Sequence, residues 1–247
     1  MSVLRVQGIS KSFGGVQAVN DVSFELGEGE ICALIGPNGA GKSTCFNMMN
    51  GQLRPDCGNI QFRDTELVGK TPRAVWRLGI GRTFQITATF SSMTVRENVQ
   101  MVLMSRHRRI LNLASVANRL YAQQAMELLE LVGVAEQANR PCAVLAYGDL
   151  KKVELAVAMA DNPSLLLMDE PTAGMAPGER LELMELTAKI VRERGCSVLF
   201  TEHDMDVVFA HADRILVLHL GMLVAEGAPS EVRANEQVKE IYFGGGG

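Results

Sequence analysis

No apolar run in this 247-residue sequence approaches the roughly 18 residues that a membrane-spanning helix needs. The N-terminal segment from Met1 to Gly8 also lacks a basic start followed by an apolar stretch, so we expect no secretory signal. If the chain works at a membrane, it must therefore depend on a partner for its attachment.

Basic charge is not in excess either, since 24 lysine and arginine residues stand against 28 aspartate and glutamate residues and the net charge is −4. A general nucleic-acid binder needs a basic surface, so we expect no nucleic-acid partner. The five cysteines are scattered, odd in number and without metal-ligand spacing, which indicates reduced cytosolic thiols, most of which pack as small apolar residues. An apolar fraction of 47% and a charged fraction of 21% are typical of a globular protein with a sizeable core.

Strand and helix patterns alternate towards both ends of the chain. Leu4, Val6 and Ile9 alternate with polar neighbours, as in a strand with one buried face. The continuous apolar run from Ile31 to Ile35 indicates a strand buried on both faces, as in a parallel sheet covered by helices. The C-terminal part repeats the alternation as strand 165–168, helix 177–194, strand 197–201, helix 205–212 and strand 214–220. We therefore predict an α/β core with a mostly parallel sheet.

The middle of the chain, between about residues 90 and 150, has helical patterns instead. Thr94 and Glu97 form a capping-box pattern at the start of one helix. An Ala/Leu-rich stretch from about Ser115 to Val132 predicts a second helix, and a third is predicted from about Leu150 to Ala160. Because these helices interrupt the alternation of strands and helices, we predict that they form an inserted lobe.

A glycine-rich segment after the apolar strand matches the phosphate-loop pattern G-x-x-x-x-G-K-[ST] at every fixed position, and a helix is predicted to follow from Lys42 to about Asn50. In such a loop, glycines let backbone N–H groups surround phosphates, and the positive end of the helix dipole adds to the attraction. Lys42 can reach the β- and γ-phosphates of a nucleotide, and the Ser43 hydroxyl can ligate Mg²⁺. We expect the nucleotide to bind at Gly36, Pro37, Asn38, Gly39, Ala40, Gly41, Lys42, Ser43 and Thr44.

Two acidic residues, Asp169 and Glu170, end the buried strand that begins at Leu165. Ligands bind at the carboxyl ends of the strands in open parallel sheets, so these acids lie where a nucleotide site is expected. An acid at this position holds Mg²⁺ in P-loop ATPases, and we assign this role to Asp169. Glu170 then becomes the candidate for polarising the attacking water. The alternative is that the two acids only cap a neighbouring helix.

Several further positions follow the order of motifs in the ABC transporter ATPase family, which the sequence resembles over essentially its whole length. Phe13 is similar to the aromatic residue that stacks on adenine, and Gln85 to the Q-loop glutamine that contacts Mg²⁺ and water. The segment 173–175 resembles the D-loop, and His203 resembles the switch histidine that contacts the γ-phosphate. Each residue taken alone also fits a purely structural role, but the ordered set is typical of the family.

The segment L-A-Y-G-D-L-K-K at residues 145–152 stands where the family has its signature sequence L-S-G-G-Q-x-x-R. Gly148 matches, whereas Ala146 lacks the hydroxyl of the usual serine. The missing hydrogen bond to the γ-phosphate is expected to weaken phosphate binding by about 1 kcal/mol. Tyr147 replaces a glycine and Asp149 replaces a glutamine. An A-Y-G variant resembles the ATPase subunits of importers for branched-chain amino acids and related polar solutes. The resemblance implies that this segment caps the ATP held by a second subunit.

The resemblance implies one domain over residues 1–247, with an α/β P-loop NTPase (RecA-like) core, an antiparallel β subdomain and an inserted helical subdomain. The core and β subdomain are assigned to 1–84 and 151–247, and the helical subdomain, with the Q-loop and the signature, to 85–150. The implied nucleotide contacts include Phe13, Ala146, Tyr147 and Gly148 besides the phosphate loop. Catalysis is assigned to Lys42, Gln85, Glu170 and His203, and metal binding to Ser43, Gln85 and Asp169.

The resemblance also implies an ATP-hydrolysing subunit that uses ATP and Mg²⁺ and pairs with a second ATPase subunit, identical or paralogous. The pair is expected to lie on the cytoplasmic side of the cell membrane, docked on integral-membrane permease subunits. A periplasmic or extracellular solute-binding protein is expected as an indirect partner. The expected transport is import of branched-chain amino acids or a related small polar solute.

Three alternatives stay open at this point. A soluble ABC ATPase acting on ribosomes or DNA usually carries two fused cassettes or a large insertion, and this chain has a single cassette. An exporter or lipid-extraction ATPase has the same architecture, although the A-Y-G signature favours import. A regulatory subunit with little catalysis is suggested only by Ala146 and Asp149.

Overall fold

The computed structural model describes residues 1–83, 89–106 and 121–243. Its strands are β1 (Ser2–Phe13), β2 (Val16–Gly27), β3 (Ile31–Ile35), β4 (Cys57–Phe62), β5 (Thr65–Glu66), β6 (Ile80–Thr83), β7 (Leu165–Asp169), β8 (Ser197–Thr201), β9 (Arg214–His219) and β10 (Met222–Gly227). Its α-helices are α1 (Lys42–Met49), α2 (Pro72–Arg77), α3 (Val95–Arg106), α4 (Ala122–Leu131), α5 (Tyr147–Met159), α6 (Pro177–Arg194), α7 (Met205–His211), α8 (Pro229–Ala234) and α9 (Glu236–Phe243).

A six-stranded sheet with the order β10-β9-β3-β8-β7-β6 confirms the predicted, mostly parallel core. The strands from β9 to β6 run parallel to one another, and β10 pairs antiparallel with β9. Every residue of β3, β7 and β8 is buried, as expected for strands covered on both faces. Because parallel strands end at the same edge, the segments that follow β3, β8 and β7 are neighbours in space.

A second sheet, antiparallel and with the order β2-β1-β4-β5, lies on one side of this core. The predicted alternation in β1 is confirmed, since Leu4, Val6 and Ile9 are buried while Arg5 and Gln7 are exposed. The two faces of β3 join different apolar clusters. Its even-numbered side chains pack with the second sheet and α1, and its odd-numbered side chains pack with the helices on the opposite face. The fold is therefore layered around β3, with the antiparallel sheet and the helices on opposite sides.

The middle of the described chain is helical, as predicted. The N–H of Thr94 donates to Glu97 Oε2 at 2.8 Å, and the N–H of Glu97 donates to Thr94 Oγ1 at 3.3 Å, so the capping box is present at the start of α3. The second predicted helix is observed as α4, and the part of that prediction before residue 121 lies outside the described residues. In the described ranges, no helix has the length and apolar character needed to cross a membrane.

The third predicted helix begins earlier than expected. The sequence predicts a start near Leu150, whereas α5 begins at Tyr147 with Ala146 as its N-cap. An alanine side chain has no oxygen to accept a backbone hydrogen bond, so the usual sequence signal for a helix start is missing here. The signature segment therefore forms the first turn of a helix, and the predicted subdomain boundary between residues 150 and 151 falls inside α5.

Candidate nucleotide site

The phosphate loop runs from the end of β3 into α1 and packs closely against two other segments. A Cβ atom at Gly36 would lie 2.2 Å from the carbonyl oxygen of Leu218, and one at Gly41 would lie 2.4 Å from that of Ala18. Gly41 also has a φ of 103°, which L side chains rarely tolerate. By contrast, the Cβ position of Gly39 meets open space. Gly36 and Gly41 therefore allow the close packing that fixes the path of the loop, whereas Gly39 lies where the loop is open.

Lys42 opens α1 and is only 6% exposed. Its ammonium donates to the carbonyl oxygens of Gly36 at 2.7 Å and Pro37 at 3.2 Å, inside the loop. Burial lowers the pKa of Lys42, while the negative charges of Glu170 and Asp169 oppose this effect. The Lys42 ammonium is therefore close enough to interact electrostatically with Asp169, the last residue of β7, and with Glu170, which follows it.

An open cleft of about 300 Å³ lies in front of the loop. Phe13, which is half exposed, lies at this cleft together with Ala18 and Glu170. The other lining residues are Asn38, Gly39, Ala40, Gly41, Lys42, Ser43 and Thr44. The structure thus brings together most of the predicted nucleotide-binding residues. Gly36 and Pro37 are not among the lining residues, and their carbonyl oxygens accept the hydrogen bonds of Lys42.

Asp169 and Glu170 are both held by Thr201 at the end of the adjacent strand β8. One carboxylate oxygen of Asp169 accepts from the Thr201 hydroxyl at 2.8 Å, and the other lies 3.5 Å from Nη2 of Arg82. The N–H of Glu170 donates to the carbonyl and hydroxyl oxygens of Thr201, at 3.2 and 3.0 Å. Glu170 has a φ of 49°, a left-handed conformation that is costly for a non-glycine residue. The two hydrogen bonds to Thr201 thus help to hold Glu170 in a backbone conformation that is uncommon for its residue type.

His203 meets Glu170 at the edge of the cleft. Nε2 of His203 lies 2.9 Å from Oε1 of Glu170, and the two side chains are 47% and 19% exposed. Because Glu170 also lines the cleft, the pair places a carboxylate and an imidazole beside the phosphate loop. A carboxylate that can orient water and a ring that can donate a hydrogen bond suit phosphoryl transfer.

The signature segment makes contact with the predicted D-loop of the same chain. The hydroxyl of Tyr147 donates to the carbonyl oxygen of Ala173 at 3.0 Å. A Cβ atom at Gly148 would lie 3.5 Å from Oε1 of Glu179 in the first turn of α6. Of the residues that line the described cleft, none comes from the segment 146–148. The structure therefore does not bring Ala146, Tyr147 and Gly148 to the phosphate loop of their own chain.

The family description "ABC transporter" matches residues 19–173, more than half of the chain. The chain belongs to the ATP-binding cassettes of ABC transporters. As a member of this family it is an ATP-binding, ATP-hydrolysing subunit of a transporter. A second family, described as "Branched-chain amino acid ATP-binding cassette transporter", matches residues 223–247.

Curated relatives match the cassette along almost their whole length. It is 40% identical to the high-affinity branched-chain amino acid transport ATP-binding protein LivG of Salmonella typhimurium, over 98% of each chain. It is 38% identical to the protein of the same description, BraF, of Pseudomonas aeruginosa, again over 98% of each chain. The similarity therefore includes the regions outside the family match at residues 19–173.

Solved structures have the same fold. The ADP conformation of MJ1267, an ATP-binding cassette of an ABC transporter, matches with a TM-score of 0.86 and 30% identity over 99% of each chain. The cassette MJ0796, described as dimeric in a post-hydrolysis state with ADP and Pi, matches with a TM-score of 0.79 and 25% identity, over 92% of this chain and 98% of that chain. These likenesses confirm the ABC cassette fold, with its mixed parallel and antiparallel sheets.

The oxygen atoms around the cleft suit Mg²⁺, which prefers oxygen ligands and is usually held by one or two carboxylates together with substrate phosphates. Ser43 is exposed at the cleft, and Asp169 is held in place by Thr201 and Arg82. Among the described residues, no cluster of three or more His, Cys, Asp or Glu side chains forms an all-protein metal cage. Gln85, the remaining predicted ligand, lies outside the described residues.

Three residues that shape the site were missed from the sequence, namely Arg82, Thr201 and Glu202. The carboxylate of Glu202 accepts hydrogen bonds from Thr172 and from the backbone N–H of His203. Nη2 of Arg82 contacts Asp169, and Nη1 of Arg82 donates to the side-chain oxygens of Asn47 and Gln52. A sequence signal existed for Glu202 alone, since a charged residue directly after a fully buried strand must find partners.

Proposed function

We propose that the cassette hydrolyses ATP with Glu170 orienting the attacking water and with Lys42 and His203 stabilising the transferring phosphoryl group. The observation that carries this assignment is the 2.9 Å contact between His203 and Glu170 at the cleft of the phosphate loop. Preorganised donors stabilise charge that develops in the transition state better than water does. Phe13 is assigned to adenine because it is the aromatic side chain among the residues that line the cleft.

Mg²⁺ is assigned to Ser43 and Asp169, with Gln85 as a third proposed ligand. When bound, the ion offsets the negative charge of the phosphates. The role of the chain itself is to hold these oxygen atoms in place, and Thr201 does this for Asp169.

The cassette is proposed to act as one of two ATPase subunits that enclose two ATP molecules. Ala146, Tyr147 and Gly148 would then contact the ATP bound by the second subunit, which agrees with their absence from the residues that line the cleft of their own chain. The helical subdomain, proposed as residues 85–150, would transmit closure to a membrane permease. Helix α5 crosses the boundary of this subdomain and connects it to the core.

The proposed transport is import of branched-chain amino acids or a related small polar solute. This assignment is supported by similarity to LivG and BraF over nearly the whole chain and by the C-terminal match at residues 223–247. The cassette would lie at the cytoplasmic face of the cell membrane. The permease and a solute-binding protein outside that membrane would select the solute.

Affinity purification of the tagged chain from detergent-solubilised native membranes tests the partners, with an unrelated tagged protein as the control. We expect integral-membrane permease subunits and a second ATPase subunit to be recovered. Recovery of ribosomal or DNA-repair proteins without a permease would refute the transport role and favour a soluble ABC ATPase.

Uptake measurements test the solute and the direction of transport. In cells whose copy of this chain carries Glu170→Gln, we expect uptake of labelled leucine, isoleucine or valine to be lost. Unchanged uptake of all three, with uptake of another polar solute lost, would assign that solute instead. Loss of efflux rather than uptake would favour the exporter alternative.

A further inference from the structure

The carboxylate of Glu202 joins the two loops that carry Glu170 and His203. Its Oε1 atom accepts from the backbone N–H of Thr172 at 2.9 Å and from the Thr172 hydroxyl at 2.5 Å. Its Oε2 atom accepts from the backbone N–H of His203 at 3.0 Å. Glu202 is 5% exposed and Thr172 is 1% exposed, so the two hydrogen bonds between them lie away from bulk water, whereas the one from His203 is partly buried.

Thr172 belongs to the tight turn that follows Glu170. The N–H of Ala173 donates to the carbonyl oxygen of Glu170 at 3.1 Å, and the N–H of Met175 donates to that of Thr172 at 3.1 Å. Because Glu202 fixes Thr172, it also fixes the turn that has Glu170 at one end and the D-loop at the other. Glu202 is also bonded directly to His203 along the chain, so it positions both members of the Glu170–His203 pair.

We propose that Glu202 is a positioning residue for ATP hydrolysis, which sets the distance between the Glu170 carboxylate and the His203 imidazole. The inference rests on the roles proposed above for Glu170 and His203. Misplacing a reacting group by about 1 Å can cost roughly a hundredfold in rate, so a residue that touches neither ATP nor water can still control turnover.

Only a carboxylate meets the needs of this position. Three donors converge on Glu202, and a carboxylate accepts hydrogen bonds without donating any. In Glu202→Gln, the amide nitrogen would turn N–H groups towards a backbone N–H donor, whichever way the amide lies. One loop would then lose its attachment while the size of the side chain stays the same.

The first experiment compares Glu202→Gln with wild type, using the full-length chain purified with its native membrane partners. We expect kcat for ATP hydrolysis to fall roughly tenfold to a hundredfold, with the affinity for ATP changed less than about twofold. Affinity is preserved because the phosphate loop and Lys42 are untouched. The matched control is Glu30→Gln, a partly buried, hydrogen-bonded carboxylate at the opposite end of β3, which should leave kcat unchanged.

A second pair of variants covers the case in which Glu202→Gln does not fold. Thr172→Val removes the hydroxyl donor at nearly constant volume, and Thr172→Ser restores it. We expect the valine variant to lower kcat by about fivefold, the equivalent of one hydrogen bond, and the serine variant to recover most of that loss. A general loss of stability would not be reversed by serine, whose side chain is smaller.

Any of three outcomes would overturn the inference. Folded Glu202→Gln could have the wild-type kcat, or Glu202→Gln and Glu30→Gln could lose kcat equally. The two Thr172 variants could also have the same kcat. The variant Glu170→Gln separates this failure from failure of the proposed mechanism. If Glu170→Gln is inactive while Glu202→Gln is fully active, only the positioning role is wrong. If Glu170→Gln hydrolyses ATP normally, the role of Glu170 is wrong and the inference fails with it.

Discussion

His203 Nε2 lies 2.9 Å from Oε1 of Glu170, although the two residues belong to loops that follow different strands. The strands β7 and β8 are paired in parallel register up to Asp169 and Thr201, so their following loops leave the sheet side by side. The hydrogen bonds of Thr201 and Glu202 then fix how closely those loops approach. The pair is therefore a product of sheet topology, and its function is open to direct tests.

The variant Glu170→Gln is expected to bind ATP with normal affinity and to lose hydrolysis. The amide keeps the shape of the side chain but cannot act as a base, and loss of a general base typically lowers a rate by about 10²- to 10⁴-fold. Because the γ-phosphate is not removed, ATP should hold two cassettes together. Steady-state ATPase assays and gel filtration with ATP measure both effects.

The matched control for this test is Glu182→Gln, an exposed residue on α6, which should behave as wild type. Normal turnover in Glu170→Gln would show that another group orients the water.

Ala146→Ser is expected to stabilise the fold and also to raise turnover. Ala146 is the N-cap of α5 and makes no side-chain capping bond, so serine should add about 1 kcal/mol to the free energy of unfolding. The same hydroxyl supplies the phosphate contact that the signature lacks, worth up to about fivefold in turnover. Urea unfolding and ATPase assays measure the two effects separately.

Ala228→Ser provides the control, because Ala228 is likewise an N-cap without a side-chain capping bond but starts α8, outside the signature. It should gain stability without a gain in turnover. If turnover rises equally in both variants, or in neither, the missing hydroxyl does not limit catalysis.

Stability is expected to fall in acid, in part through Glu30. Burial acts to raise the pKa of Glu30, but hydrogen bonds from Arg214 and from the N–H of Gly27 outweigh it, and the net pKa is lowered from its ordinary value of 4.5. A carboxyl group whose pKa is lower in the folded state adds stability above its unfolded pKa. That stability is lost as the pH falls below about 4.5 and through the folded pKa.

Urea unfolding at a series of pH values between 7 and 3 measures this loss. Glu30→Gln should be less stable than wild type at pH 7 and should lose less stability in acid. Some pH dependence should remain, since the pKa of Asp204 is also lowered, chiefly by its hydrogen bond with Arg180. An unchanged slope in Glu30→Gln would mean that this ion pair contributes nothing to acid stability.

Thiol labelling of the native protein is expected to modify Cys57 and to spare the other cysteines. Cys57 is exposed, whereas the remaining four are buried. Burial raises the pKa of the Cys45 and Cys196 thiols to about 12, so almost none of the reactive thiolate is present at pH 8. Mass spectrometry after alkylation should find one modified cysteine before denaturation and five after it. Rapid native labelling of Cys45 would indicate that α1 opens beneath the phosphate loop.

Much of the fold could be predicted because its signals are local. The continuous apolar residues of β3 and the capping box at Thr94 each lie within a few neighbouring positions, and both are confirmed. The predicted start of α5 is about three residues too late because Ala146 gives no capping signal. Gln85 stays a prediction, since it lies outside the described residues.

The sequence by itself determined the phosphate loop, the buried strands and the order of the motifs, because these depend on residue type and spacing along a short stretch of chain. The tertiary structure decided which motifs meet. Parallel pairing of β7 and β8 brings Glu170 beside His203, and the carboxylate of Glu202 reaches Thr172, 30 positions away in sequence. Contacts of this kind leave no periodic pattern in the sequence, since a buried polar group needs a partner but does not specify where along the chain that partner lies.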